Sequence, residues 1–152
     1  IGGDKFTDAI SLSDRIAAVW GDKLERRYVV FTGGEPLLQL DRALIDAVHD
    51  RGFEIAIETN GTIEPPEGID WICVSPKAGA DLQLKRGSEL KLVFPQPSLM
   101  PDMLSELTFQ HYFLQPMDGP NQAANIHLAT QYCLSDAKWR LSLQTHKMIG
   151  IP

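Results

Sequence analysis

The stretch Tyr28–Pro36 reads YVVFTGGEP, and its reading decides the fold. Four β-branched or aromatic residues form a short strand, apolar throughout as a strand buried on both faces should be. A polar segment with paired glycines follows at once and ends it. The same succession recurs along the chain. Phe53–Ile57 (FEIAI) runs into Glu58-Thr59-Asn60-Gly61, and Trp71–Val74 (WICV) into Ser75-Pro76-Lys77. Tyr112–Leu114 (YFL) precedes Gln115-Pro116-Met117-Asp118, and Trp139–Leu143 (WRLSL) precedes Gln144-Thr145-His146-Lys147. Leu90–Phe94 (LKLVF) is a sixth strand, followed by the proline-rich loop Pro95–Pro101 and a short helix through Leu104.

Amphipathic stretches separate these runs. Leu12, Ile16, Val19 and Trp20 share one helical face, with Ser11 and Asp14 as a capping-box-like start and Gly21 as the stop. A second helix runs from Asp41, its N-cap, through Leu44, Ile45 and Val48 to Gly52. A third covers Asn121 to Leu134, with Ile126, Ala129 and Cys133 turned inward. Strands alternating with helices predict an α/β protein with a mostly parallel sheet. At 152 residues the chain forms one domain spanning residues 1–152. A complete eight-stranded barrel needs about 250 residues, so an open sheet or an incomplete barrel is expected.

Composition narrows the function. Fourteen basic and twenty acidic side chains leave a formal charge of −6, which disfavours a nonspecific grip on nucleic acid. No apolar run approaches the roughly 20 residues that cross a bilayer, and no secretory signal opens the chain. Cys73 and Cys133 lie far apart and form neither a disulfide framework nor a CxxC pair. A reduced, cytoplasmic setting is expected. Ile1–Lys5 (IGGDK) reads as the middle of a loop, so a segment upstream of Ile1 is expected as well.

In parallel α/β architectures, ligands bind where the carboxyl ends of the strands line one rim. Five of the six strands deliver polar groups there, which favours a site over ordinary loop polarity. Gly33 and Gly34 remove two Cβ atoms behind the first strand, so backbone N–H and C=O groups can approach a ligand closely. Their spacing fits neither the Walker A nor the dinucleotide pattern. Glu58, flush against an apolar run, is expected half-buried and in need of a ligand amine or a ribose hydroxyl as partner. Of the four histidines only His146 lies on this rim, as a donor, a proton shuttle or a purely structural group. His49 and His127 read as solvated, and His111 opens a strand.

The motif TGGEP (Thr32–Pro36) resembles the glycine-rich motif of radical S-adenosylmethionine enzymes. Together with ETNG (Glu58–Gly61), VSPKA (Val74–Ala78), QPMDGP (Gln115–Pro120), LSLQTHK (Leu141–Lys147) and the closing Gly150-Ile151-Pro152, it resembles the 7-carboxy-7-deazaguanine synthase family over nearly the whole chain. The resemblance implies an incomplete, modified (β/α) radical-SAM-type barrel. It also implies radical ring contraction of 6-carboxy-5,6,7,8-tetrahydropterin to 7-carboxy-7-deazaguanine with loss of ammonia, on the route to queuosine and other deazapurines. A 5′-deoxyadenosyl radical made from S-adenosylmethionine would remove hydrogen from substrate C6.

By motif, Thr32 would contact the pterin and Gly34 the S-adenosylmethionine. Ser75, Pro76, Lys77, Gln115, Pro116, Met117 and Asp118 would line the cofactor pocket, and Glu58 and Asn60 would reach its ribose or adenine side. Pro152 would bind substrate through its free carboxylate, which matches the paired N–H donors of a guanidine-like pterin edge. A [4Fe–4S] cluster and Mg²⁺ complete the implied cofactors. Clusters of this kind require thiolates, and the cysteine motif that supplies them in the family is expected upstream of Ile1. The 152 residues alone are thus expected to be inactive. A flavodoxin or ferredoxin as redox partner and a homodimer are implied too. The rivals are another radical enzyme such as an activase, a cluster-free binding or regulatory module, and a barrel aldolase with Lys91 as its Schiff-base lysine. Valine at Gly34 is expected to abolish cofactor binding by filling the space a Cβ would take.

Overall fold

A computed structural model describes residues 5–151. Pro152, the expected substrate-binding terminus, and Ile1 lie outside the described residues. Six strands form one sheet in the order β1 to β6, each hydrogen-bonded in parallel to the next in sequence. They are β1 (Tyr28–Phe31), β2 (Glu54–Thr59), β3 (Trp71–Val74), β4 (Arg86–Phe94), β5 (Thr108–Pro116) and β6 (Trp139–Leu141). The expectation of a mostly parallel sheet becomes an all-parallel one. β1 and β6 are its two ends, and the sheet does not close.

Three longer helices flank the strands: α1 (Ala9–Trp20), α2 (Arg42–His49) and α3 (Gln122–Ser135); a single turn, α4 (Thr145–Met148), follows β6. α1 begins earlier than the Ser11–Asp14 signal suggests. Asp8 is the N-cap and accepts from the Ser11 amide at 2.8 Å, with the Ser11 hydroxyl donating to the same carboxylate. Asp14 instead accepts from the Arg51 guanidinium, which ties α1 to the end of α2. α2 starts as expected, with Asp41 accepting from the Leu44 amide at 2.9 Å. α1 buries a narrower face than its pattern implies: Leu12 and Ile16 pack against the core, whereas Val19 is 71% exposed. β2 to β3 and β3 to β4 are joined by irregular segments without an α-helix.

Strand alternation divides the sheet into two faces. Ile55, Ile57, Val74, Leu90, Leu92 and Leu114 point to the helical side and are fully buried among Leu44, Ile45, Val48 and Ala129. Each such side chain contributes about 1.5–3 kcal/mol of transfer free energy. The alternate residues, Val30, Glu58, Cys73, Lys91, Val93 and Gln115, point the other way. There the rule of apolar strands fails, and polar groups enter the sheet itself. Among the described residues no helix is long and apolar enough to cross a membrane.

Candidate functional site

The second face opens, at the carboxyl ends of the strands, into a cavity of about 480 Å³. All six strands or the segments directly behind them line it. Thr32, Gly33 and Gly34 follow β1; Glu58 and Thr59 end β2, with Asn60 directly behind; Ser75 and Lys77 follow β3. Lys91 and Val93 come from β4, Gln115 from β5, and Ser142, Gln144 and His146 from the segment after β6. The rim expected from the sequence therefore converges on one cavity.

The remaining expected residues stand close by but do not line it. Pro76 is buried beneath the loop behind β3 and borders a smaller apolar cavity with Leu99 and Leu104. Pro116 is buried at the end of β5 and Met117 half-buried behind it, its amide donating to the Phe94 carbonyl at 2.7 Å. Asp118 is exposed and pairs with Lys147 on α4, so the QPMDGP and QTHK segments are held together. The Lys147 hydrogen bond holds the Asp118 carboxyl below its ordinary range. His111 lies inside β5 rather than at its start, stacked on Trp71 with ring centroids 5.6 Å apart. His49 is hydrogen-bonded to Asp70 at 3.0 Å, and His127 is exposed.

Glu58 already has protein partners. Lys91 Nζ donates to its Oε1 at 2.6 Å and Thr32 Oγ1 to its Oε2 at 3.2 Å. In register Glu58 lies opposite Cys73, and Cys73 opposite Glu89. The lysine, two residues beyond Glu89 on β4, thus reaches across β3 to meet Glu58. Its hydrogen bond is the main cause that holds the Glu58 carboxyl below its ordinary range, against a smaller opposing effect of burial. For Lys91, burial pulls downward, but the Glu58 hydrogen bond and the surrounding negative charges outweigh it and raise the ammonium. A lysine held charged is a poor Schiff-base former. Lys91 serves instead as a fixed cation on the cavity floor, beside an ionised acceptor.

Gly33 and Gly34 both adopt positive φ, +84° and +53°, which L side chains rarely do. A Cβ at either would meet no atom within 4 Å. Protein packing therefore does not demand glycine there; the turn does, and it leaves open space over the backbone where a ligand can approach. The expected cost of valine at Gly34 accordingly arises from backbone strain and from intrusion into the cavity.

Sequence reasoning missed Glu35. Its carboxylate accepts from Thr59 Oγ1 at 2.7 Å, from the Asn60 amide at 2.8 Å and from the Leu37 amide at 3.1 Å. Thr59 Oγ1 in turn accepts from the Gly61 amide, and Asn60 Oδ1 from the amide and hydroxyl of Thr62. The one signal in the sequence is a carboxylate placed directly between the glycine pair and a proline.

Among the described residues no three His, Cys, Asp or Glu side chains converge on a metal position. Cys73 is 3% exposed and its thiol is pushed up to about 12, chiefly by burial; Cys133 is half-buried on α3. Neither is presented as an iron ligand. The cavity brings together open backbone at the glycine pair, the Glu58 carboxylate, the ammonium groups of Lys77 and Lys91, and the amide side chains of Asn60, Gln115 and Gln144.

The chain is 64% identical over 99% of its length to a 7-carboxy-7-deazaguanine synthase of Bordetella pertussis, of which it spans 72%. It is 58% identical over 98% of its length to the Bradyrhizobium diazoefficiens protein of the same name, spanning 71%. The Escherichia coli protein of that name is 32% identical over 94% of the chain, which covers 69% of it. No family model matches the chain.

Proposed function

Because the chain belongs to the 7-carboxy-7-deazaguanine synthase family, we propose that its cavity holds S-adenosylmethionine beside 6-carboxy-5,6,7,8-tetrahydropterin for ring contraction to 7-carboxy-7-deazaguanine with loss of ammonia. The observation that carries this reading is the convergence of all six strand ends on one cavity, with the open glycine turn at one side and the Glu58–Lys91 pair on its floor. The sequential parallel order of the strands supports an incomplete barrel wall, since a doubly wound sheet reverses its strand order at a switch point.

In this reading the backbone at Gly34 meets the methionyl end of S-adenosylmethionine, and Ser75, Lys77, Asn60 and Gln115 line its nucleoside. Pro76, Pro116 and Met117 act from behind as the buried supports of those loops, and Asp118 fixes α4. Thr32 faces the pterin, and Glu58, which accepts from its hydroxyl, stands toward the ribose. When bound, S-adenosylmethionine would supply the radical initiation. Mg²⁺, a hard cation, suits the substrate carboxylate. The described residues offer no thiolate set for a [4Fe–4S] cluster: Cys73 is buried in β3 and Cys133 stands alone on α3. What the chain itself contributes is placement: it holds the two molecules in contact on a preorganised rim and keeps solvent from the reacting carbon. An electron-donor protein, a cytoplasmic location and a homodimer belong to the same proposal.

The test is anaerobic reconstitution of the intact gene product with iron and sulfide, followed by turnover with reductant, S-adenosylmethionine and the carboxylated pterin. Formation of 7-carboxy-7-deazaguanine with stoichiometric ammonia, read by mass spectrometry, is expected. S-adenosylmethionine cleavage without conversion of that pterin would favour a different radical enzyme. A gene product that binds no iron would favour a cluster-free module.

A further inference from the structure

We propose that Thr32 reads the reduction state of the pterin, with Glu58 as the positioning residue that makes it do so. The Thr32 hydroxyl proton is committed to Glu58, so its oxygen meets the substrate only as an acceptor. It thereby selects a ring N–H that the reduced pterin carries and the oxidised pterin lacks. This rests on the functional reading above. Phe31 pairs in register with Ile57, so the next residues, Thr32 and Glu58, stand side by side on the face that lines the cavity. The Glu58 carboxylate accepts at both oxygens, from Lys91 Nζ at 2.6 Å and from Thr32 Oγ1 at 3.2 Å. An ionised carboxylate has no proton to give, so the donor in the second bond is the threonine. A hydroxyl has one proton and two lone pairs. With the proton engaged, and no described group donating to Oγ1, the lone pairs are what Thr32 offers to the cavity.

A tetrahydropterin carries N–H groups at ring positions N5 and N8; in the fully oxidised pterin both nitrogens are bare acceptors. Thr32 adjoins the glycine pair, where the methionyl end lies in this reading, and is bonded to the group that stands toward the ribose. The substrate atoms beside it are therefore those of the reacting ring, which holds C6, N5 and N8. An acceptor that faces N–H gains a hydrogen bond, whereas one that faces a lone pair leaves both groups unpaired. Glu58→Gln inverts the arrangement. Lys91 holds the amide oxygen, which turns the NH₂ to Thr32; the threonine oxygen then accepts, and its proton is released toward the pterin.

In the experiment, reconstituted intact gene product with Mg²⁺ is titrated anaerobically by equilibrium dialysis with 6-carboxy-5,6,7,8-tetrahydropterin and with fully oxidised 6-carboxypterin. Leaving out S-adenosylmethionine keeps turnover and the ribose contact of Glu58 out of the measurement. The readout is the ratio of the two Kd values in each protein, and comparing ratios between variants cancels the difference in ring shape. The wild type should favour the tetrahydropterin about tenfold or more. Thr32→Ser should keep that preference, Thr32→Val should lower it about tenfold, and Glu58→Gln should abolish or reverse it. An unchanged ratio in Thr32→Val or in Glu58→Gln would overturn the proposal, as would equal or tighter binding of the oxidised pterin by the wild type. If Glu58→Gln fails to fold, the Thr32→Ser and Thr32→Val pair decides. A wild-type holoenzyme that binds neither pterin would instead overturn the functional reading, and this proposal with it.

Discussion

Replacing Lys91 with methionine removes the cation on the cavity floor while keeping an unbranched side chain of similar reach. The lysine side chain is 17% exposed and that of its partner Glu58 is 43% exposed, at a separation of 2.6 Å. A hydrogen bond to a charged group contributes about 1.5–3 kcal/mol, and a fully exposed ion pair about 0–1 kcal/mol. The exposure of Glu58 lets water screen it and rehydrate it once its partner is gone, so the coupling should be about 1 kcal/mol. A double-mutant cycle with Glu58→Gln isolates it from the packing change that methionine brings. In a chain of this size it corresponds to roughly 3 °C in Tm.

The pH dependence gives a second handle on the same pair. Glu58 titrates below its ordinary value of 4.5 when folded, so its contribution is full above that value and is lost as pH falls through the lowered one. Lys91 titrates above 10.5, so its contribution is full below that value and is lost as pH rises through the raised one. Thermal or urea melts of the four proteins of the cycle should give the largest coupling between about pH 5 and 10, fading at both ends. A coupling near zero at pH 7, or one that grows toward acid, would refute this reasoning.

Single positions carry further expectations. At Gly61 a Cβ would lie 2.5 Å from Leu82 Cδ1 and 2.8 Å from Val74 Cγ1, on a backbone with φ +80°. Gly61→Ala should therefore cost about 2–3 kcal/mol in chemical denaturation, whereas Gly34→Ala, with open space above it, should cost about 1 kcal/mol. A thiolate-selective alkylating reagent at pH 8 should modify Cys133 before Cys73, because burial suppresses the Cys73 thiolate; peptide mapping showing Cys73 labelled first in the folded protein would contradict its placement. Lys147→Ala should raise hydrogen exchange across α4 at neutral pH. That increase should disappear as pH falls through the lowered Asp118 value, since a protonated Asp118 no longer holds Lys147 in either case. An increase that persisted in acid would mean that the pair is not what fixes α4.

The strand cores and the rim were legible in the sequence because both are local. YVVF and WICV are continuous apolar runs, and the polar residue directly behind each needs no partner to be noticed. The first halves of β4 (Arg86–Glu89) and β5 (Thr108–His111) escaped, since RGSE holds no large apolar residue and TFQH only Phe109, so neither reads as an apolar run. Asp8 lost to Ser11 as the expected cap because either residue type can cap; the geometry shows that Ser11 donates to Asp8. Glu35 and Lys91 were illegible for a different reason. Their partners, Thr59, Asn60 and Glu58, are far away in the chain, and only the register of β1 through β4 brings them together. A one-dimensional reading shows that a carboxylate needs a partner, but not that the protein itself supplies one.

The most direct measurement is a crystal structure of the reconstituted intact gene product with S-adenosylmethionine and the carboxylated pterin. The methionyl group should lie against the backbone of Gly34, with the nucleoside toward Ser75, Gln115 and Glu58 and the pterin facing Thr32. Both molecules bound elsewhere, with the cavity at the strand ends empty, would contradict the assignment.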